Sequence, residues 1–158
     1  MKPSNRSRYL LIGLAVFLLG FSLAVFAAPV SVTDDRGVVV VFDKSPQRIV
    51  SLLPSLTESI CALGKCSALV GVDRFSNWPK LTQELPKLGG MGDINIERIT
   101  QLKPDVVLLE KASPVIARLN DLGIKTFALD VKSMSDEERA LKKLDLILDR
   151  KSTRLNSS

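Results

Sequence analysis

The side chains able to do chemistry are few. The chain contains no histidine, so neither a serine nucleophile paired with imidazole nor a histidine-based metal site can be built from it. Ser51, Ser55 and Ser59 stand close together but have no base partner, and an enzyme would need an activated nucleophile or an acid–base pair. Cys61 and Cys66 are the two cysteines. Their CxxxxC spacing is that of neither a redox nor a zinc motif. It suits a structural disulfide in an oxidising compartment, with two free buried thiols as the alternative, and so short a closed loop adds only modest stability. Asp34-Asp35 precede Arg36-Gly37 between two β-rich segments, where turn chemistry explains a carboxylate doublet better than metal binding does. Phe75 and Trp78 lie in an irregular stretch, 73–92, with Pro79, Pro86 and Gly89-Gly90-Met91-Gly92. Connections this long in compact domains are usually functional or disordered, and large rings argue against disorder; packing of each ring onto the core is the competing expectation.

Regular elements must position these groups. Val30–Thr33 and Val38–Phe42 flank the Asp34–Gly37 turn and predict a small hairpin. Arg48–Leu52 predicts a strand, and Ser55 with Glu58 three residues on predicts a capping box opening a helix. Leu56, Ile60 and Leu63 share one face of that helix and Gly64 stops it. A strand over Ala68–Val72 completes a strand–helix–strand unit, which requires parallel pairing. A helix from about Ile96 to Leu102, a strand over 104–109, a helix opened by Ser113-Pro114 and a strand over Thr126–Val131 repeat the pattern. Ser135 with Glu138 predicts a further capping box, and Leu141, Leu144, Ile147 and Leu148 mark the apolar stripe of a helix reaching about Arg150. The expected fold class is α/β, an open, mainly parallel sheet with helices on both faces.

The ends differ in character from this middle. Lys2, Arg6 and Arg8 precede an apolar run from Leu10 to Phe26 that closes on small residues, the order of a secretory signal. Cleavage is expected between Ala27 and Ala28; the run is long enough that an uncleaved anchor is the alternative. No cysteine immediately follows the run, which argues against a lipid-attached form. Without those three cations the 22 basic residues fall to 19 against 17 acidic, so the mature surface is nearly neutral. It carries no basic stripe of the kind nucleic acid needs. At the other end, Lys151–Ser158 continues no periodicity and resembles translated sequencing-adaptor DNA. We read 1–27 as signal, 28–134 as one α/β lobe, 135–150 as the start of a longer helix, and 151–158 as foreign to a protein that continues beyond it.

Several segments together resemble a known family: Arg48–Glu58 (RIVSLLPSLTE), Val70–Pro79 (VGVDRFSNWP), Leu88-Gly89-Gly90, Asn95–Ile99, Leu102–Val107 and Leu122–Phe127. Over about residues 30–149 they look like the N-terminal lobe of the helical-backbone periplasmic substrate-binding proteins, which deliver vitamin B12, iron-siderophores or haem to ABC importers. The vitamin B12 branch is the most similar. The resemblance implies a Rossmann-like lobe, a second lobe joined by the helix at Ser135, and a ligand held between the lobes without chemistry or cofactor. It implies Pro54, Ser55, Phe75, Trp78 and Met91 as ligand-binding residues, Phe75 standing where the B12 binders have a cleft Tyr and Met91 near their cleft Trp. Glu97 matches an acid that docks into arginines of the importer's membrane subunits, a role suited to bidentate carboxylate–guanidinium pairing. By sequence alone Glu97 is an ordinary acid in a first helical turn. The implied product is a monomeric carrier of the periplasm whose partners are a small-molecule ligand and the importer.

Overall fold

A computed structural model of the chain describes residues 28–148. The segment read as a signal, including Ala27, and everything from residue 149, including the expected helix end and tail, lie outside the described residues. Two antiparallel strands, β1 (Val30–Thr33) and β2 (Val39–Phe42), form the expected hairpin, with Val30 opposite Phe42 and Thr33 opposite Val39. They are followed by β3 (Ile49–Ser51), α1 (Pro54–Ala62), β4 (Leu69–Val72), α2 (Ile96–Gln101), β5 (Val106–Glu110), α3 (Ile116–Asp121), β6 (Thr126–Leu129) and α4 (Met134–Leu148). Strands β3 to β6 make one parallel sheet in the order β4-β3-β5-β6.

Both faces of this sheet are covered, and the period-2 alternation of strand side chains divides the core in two. Ile49, Leu108, Phe127 and Leu129 face one side, where they meet Leu56 and Ile60 of α1, Leu144 and Ile147 of α4, and Val32, Val40 and Phe42 of the hairpin. Phe42 meets Phe127 edge-on with ring centroids 6.1 Å apart. Val50, Val107, Leu109 and Ala128 face the other side and pack with Leu88, Ile99 of α2 and Leu119 of α3. Strands buried on both faces read as the near-continuous apolar runs seen in Ile49-Val50 and Val106–Leu109.

Three helix starts differ from expectation. Helix α1 begins at Pro54, and its N-cap Leu53 makes no side-chain cap; Ser55 is inside the helix, so no Ser55–Glu58 capping box forms. Proline at the first position presets φ and wastes no donor, which lets the helix start without a side-chain cap. Helix α3 begins at Ile116 with Val115 as its N-cap, so Ser113 and Pro114 belong to the preceding turn, closed by the Ser113 N–H donating to the Glu110 carbonyl. Helix α4 begins at Met134. Ser133, not Ser135, does the capping: its Oγ accepts from the Asp136 N–H at 3.2 Å and donates to the Asp136 carboxylate at 2.8 Å. The stop at Gly64 is as expected. Its φ of +74° favours glycine, and the bonds from Gly64 N to the Cys61 carbonyl and from Lys65 N to the Ile60 carbonyl satisfy the helix end. Cys61 and Cys66, on either side of that stop, are joined by a disulfide.

The aspartate doublet reaches far beyond its own turn. Asp34 accepts from the N–H groups of Arg36 and Val38 and from Arg36 Nε, and across 94 residues from the Ala128 N–H at 3.2 Å. Asp35 accepts from the Asp130 N–H at 2.8 Å, Lys143 Nζ at 2.6 Å and Arg139 Nη2 at 3.2 Å, and its own N–H donates to the Ala128 carbonyl at 2.9 Å. The doublet thus ties the hairpin to β6 and α4. Burial opposes the charge of Asp35, but its bonds to Arg139, Asp130 and Lys143 outweigh that and hold the carboxyl down from 3.8 to about 2.

Candidate ligand-binding cleft

From β3 the chain crosses to β4 on one side, and β5 then pairs on the other side of β3. The connections leaving the carboxyl ends of β3 and β5 therefore diverge and leave a crevice, the place where open α/β sheets take ligands. Here the crevice is an opening of about 300 Å³. Leu52, Leu53 and Pro54 enter it from the turn after β3, and Asp73 and Phe75 from the turn after β4. Gly90, Met91 and Ile94 contribute from the long connection before α2, and Leu109, Glu110 and Ala112–Pro114 from the end of β5.

Phe75 is 62% exposed and Met91 81% exposed, so neither packs into the core. Each is presented by a braced turn. Asp73 is 2% exposed, and it accepts from the Phe75 N–H at 2.7 Å, the Ser76 N–H at 3.2 Å and the Ser76 hydroxyl. Ser76 Oγ also lies 3.0 Å from Thr57 Oγ1, and Thr57 Oγ1 lies 2.9 Å from Ser51 Oγ, so one buried chain of hydroxyls links the ends of β3 and β4 through α1. Fully satisfied buried polar networks of this kind fix a single local geometry. Gly89 has φ +95°, and a Cβ there would stand 2.2 Å from the Asp93 carbonyl oxygen. Gly90 donates from its N–H to the Asp93 carboxylate at 2.8 Å, and a Cβ on it would meet the Phe75 ring at 3.0 Å. Gly89 therefore cannot carry a side chain in this conformation, and a side chain at Gly90 would press on the Phe75 ring. Arg74 lies 5.9 Å from the Phe75 ring centroid and is ion-paired with Asp93.

Three of the five residues expected to bind ligand, Pro54, Phe75 and Met91, come together in the crevice lining. Ser55 and Trp78 are not among its lining residues. Ser55 is half-buried in the first turn of α1, with its carbonyl accepting from Ser59 Oγ, and Trp78 is 65% exposed. Sequence reasoning missed the whole contribution from the end of β5. The signal available was the rule that parallel strands present ligands at their carboxyl ends, applied to the strand ending at Glu110. Glu97 lies elsewhere. It is exposed in the first turn of α2, beside a groove that it lines with Ile96, Thr100, Gln101, Arg118 and Leu122. Among the described residues no group of three or more histidine, cysteine or acidic side chains stands close enough to hold a metal ion.

Comparison with known proteins agrees with this architecture. A family model for periplasmic binding proteins matches residues 49–149. An uncharacterised ABC transporter substrate-binding lipoprotein of Bacillus subtilis (strain 168) is 35% identical over 119 residues, covering 72% of this chain and 38% of the relative. A vitamin B12-binding protein of Vibrio vulnificus (strain YJ016) is 30% identical over 126 residues, covering 78% of this chain and 40% of the relative. The chain thus spans about two fifths of the length of these curated relatives. Among solved structures, a periplasmic haem-binding protein from Pseudomonas aeruginosa superposes with a TM-score of 0.60 at 35% identity, covering 63% of this chain and 37% of that one. The family match covers the four-stranded sheet, the helices around it and the cleft between them, and the chain belongs to the periplasmic binding protein family.

Proposed function

We propose that this chain is the N-terminal lobe of an ABC-importer substrate-binding protein that captures a corrinoid of the vitamin B12 class and hands it to the membrane permease. The observation that carries the reading is the crevice at the carboxyl ends of β3, β4 and β5. It is wide, mostly apolar, and rimmed by an aromatic ring and a thioether held outward by braced turns. Such a surface suits the face of a large macrocycle, with the second wall supplied by a second lobe beyond α4. The vitamin B12-binding name of a 30% identical relative supports the corrinoid class. Binding without catalysis fits a side-chain inventory that lacks any histidine. Haem is the second reading, favoured by the likeness to the Pseudomonas aeruginosa haem-binding protein.

In this reading Pro54, Phe75 and Met91 contact the ligand, and Ser55 and Trp78 act at its margin. Residues 1–27 direct export to the periplasm and are removed between Ala27 and Ala28. The protein acts as a monomer, and Glu97 docks with an arginine of the permease from a surface distinct from the cleft. Calorimetry of the full-length protein with cyanocobalamin tests the ligand class; heat with haemin but none with cyanocobalamin would replace the first reading by the second. Glu97→Ala is expected to leave ligand affinity within twofold while reducing uptake in reconstituted vesicles. Equal uptake by both forms would remove the docking role.

A further inference from the structure

The crevice lining contains two carboxylates, Asp73 and Glu110, and no lysine or arginine. Asp73 is not available to a ligand: it is buried, and its oxygens are committed to Phe75 and Ser76. Glu110 differs. It is the last residue of β5, fixed in register opposite Leu129, and its carbonyl accepts from the Ser113 N–H at 3.0 Å, closing a turn whose Ala112, Ser113 and Pro114 also line the crevice. Its side chain is 28% exposed, and its ion-pair partner is Lys132, 64% exposed, with Nζ 3.8 Å away and closer to Asp130, at 3.3 Å. That is an ion-pair contact rather than a hydrogen bond, of the exposed and screened kind that holds little. Neighbouring Lys111 is committed to Asp130 at 2.5 Å, and Arg74 is paired with Asp93.

A carboxylate with unused acceptor capacity at an otherwise apolar wall discriminates by charge. It accepts from N–H donors and repels anions, and both effects strengthen once a bound ligand excludes water from that wall. We infer that Glu110 is a specificity-determining residue of the cleft, accepting hydrogen bonds from the peripheral amides of a neutral corrinoid and disfavouring chelates that carry carboxylates at their edge, such as haem. The inference rests on the corrinoid reading above and adds to it a residue and a sign.

The test compares three ligands on the full-length protein by calorimetry: cyanocobalamin, its mixed monocarboxylic acids made by hydrolysing one peripheral amide, and haemin. Because each comparison is a ratio on one protein, any misfolded fraction cancels. The wild type should hold cyanocobalamin at least tenfold more tightly than the monocarboxylic acids. Glu110→Gln should narrow that ratio at least threefold, and Glu110→Lys should raise haemin affinity at least tenfold relative to cyanocobalamin. Ratios within twofold of wild type in both variants, with cyanocobalamin still bound, would overturn the assignment of Glu110 alone. A wild type that prefers haemin, or binds none of the three, would overturn the corrinoid reading and this inference together.

Discussion

The cleft rim and the hairpin turn use opposite arrangements of the same side-chain types. At the rim, Phe75 and Met91 are exposed while Asp73, Ser76, Thr57 and Ser51 are buried behind them. At the turn, the carboxylates of Asp34 and Asp35 reach inward to backbone and side-chain donors of distant elements, and the apolar residues Val32, Val40 and Phe42 close the core beneath. Exposed apolar surface with a polar brace serves contact with another molecule; inward charge with every partner in place serves the fold. Substitutions in the two regions should therefore separate stability from binding.

The largest effect is expected at the turn. Asp34→Ala removes acceptors for three backbone N–H groups and Arg36, and should cost about 3 kcal/mol in urea denaturation, because it strands buried donors. Affinity per folded molecule should stay unchanged; a cost below about 1 kcal/mol would break the contrast. Next comes acid. Asp35 titrates at about 2 in the folded chain, below its unfolded value, so its contribution is complete above the unfolded value and lost as pH falls through that window toward 2. Asp35→Asn should lower stability at neutral pH by about 2 kcal/mol and flatten this acid limb, read from denaturation midpoints across pH. The smallest stability effect belongs to the rim. Phe75→Ala should change stability by no more than about 0.5 kcal/mol, yet weaken ligand binding about tenfold. A stability loss as large as that of Asp35→Asn would mean that the ring is structural.

Much of the sheet was legible because burial on both faces leaves its mark in runs such as Val106–Leu109, and helix α1 because Leu56 and Ile60 recur on one face. Helix starts were less so. Ser55, Ser113 and Ser135 all carry capping chemistry, but Pro54, a preceding turn and Ser133 respectively decided where the chain enters the helix. The β5 side of the cleft was missed for a different reason. That the ends of β3 and β5 lie side by side follows from strand order, which no local pattern encodes. The reach of Asp34 to Ala128 is of the same kind: the turn residues announce a turn, not what it docks against.

That docking has one more consequence. Thr126, Ala128 and Asp130 alternate with the residues whose main-chain groups bond β5, so their own face the open edge of β6. There the Ala128 N–H and carbonyl and the Asp130 N–H are already taken by the aspartate turn, and Arg36 reaches Thr126 Oγ1 at 3.2 Å. An unpaired strand edge is a template on which another chain can add and aggregation can begin. The Asp34-Asp35 turn covers that edge with carboxylates, which end hydrogen bonding instead of propagating it where the sheet would otherwise grow.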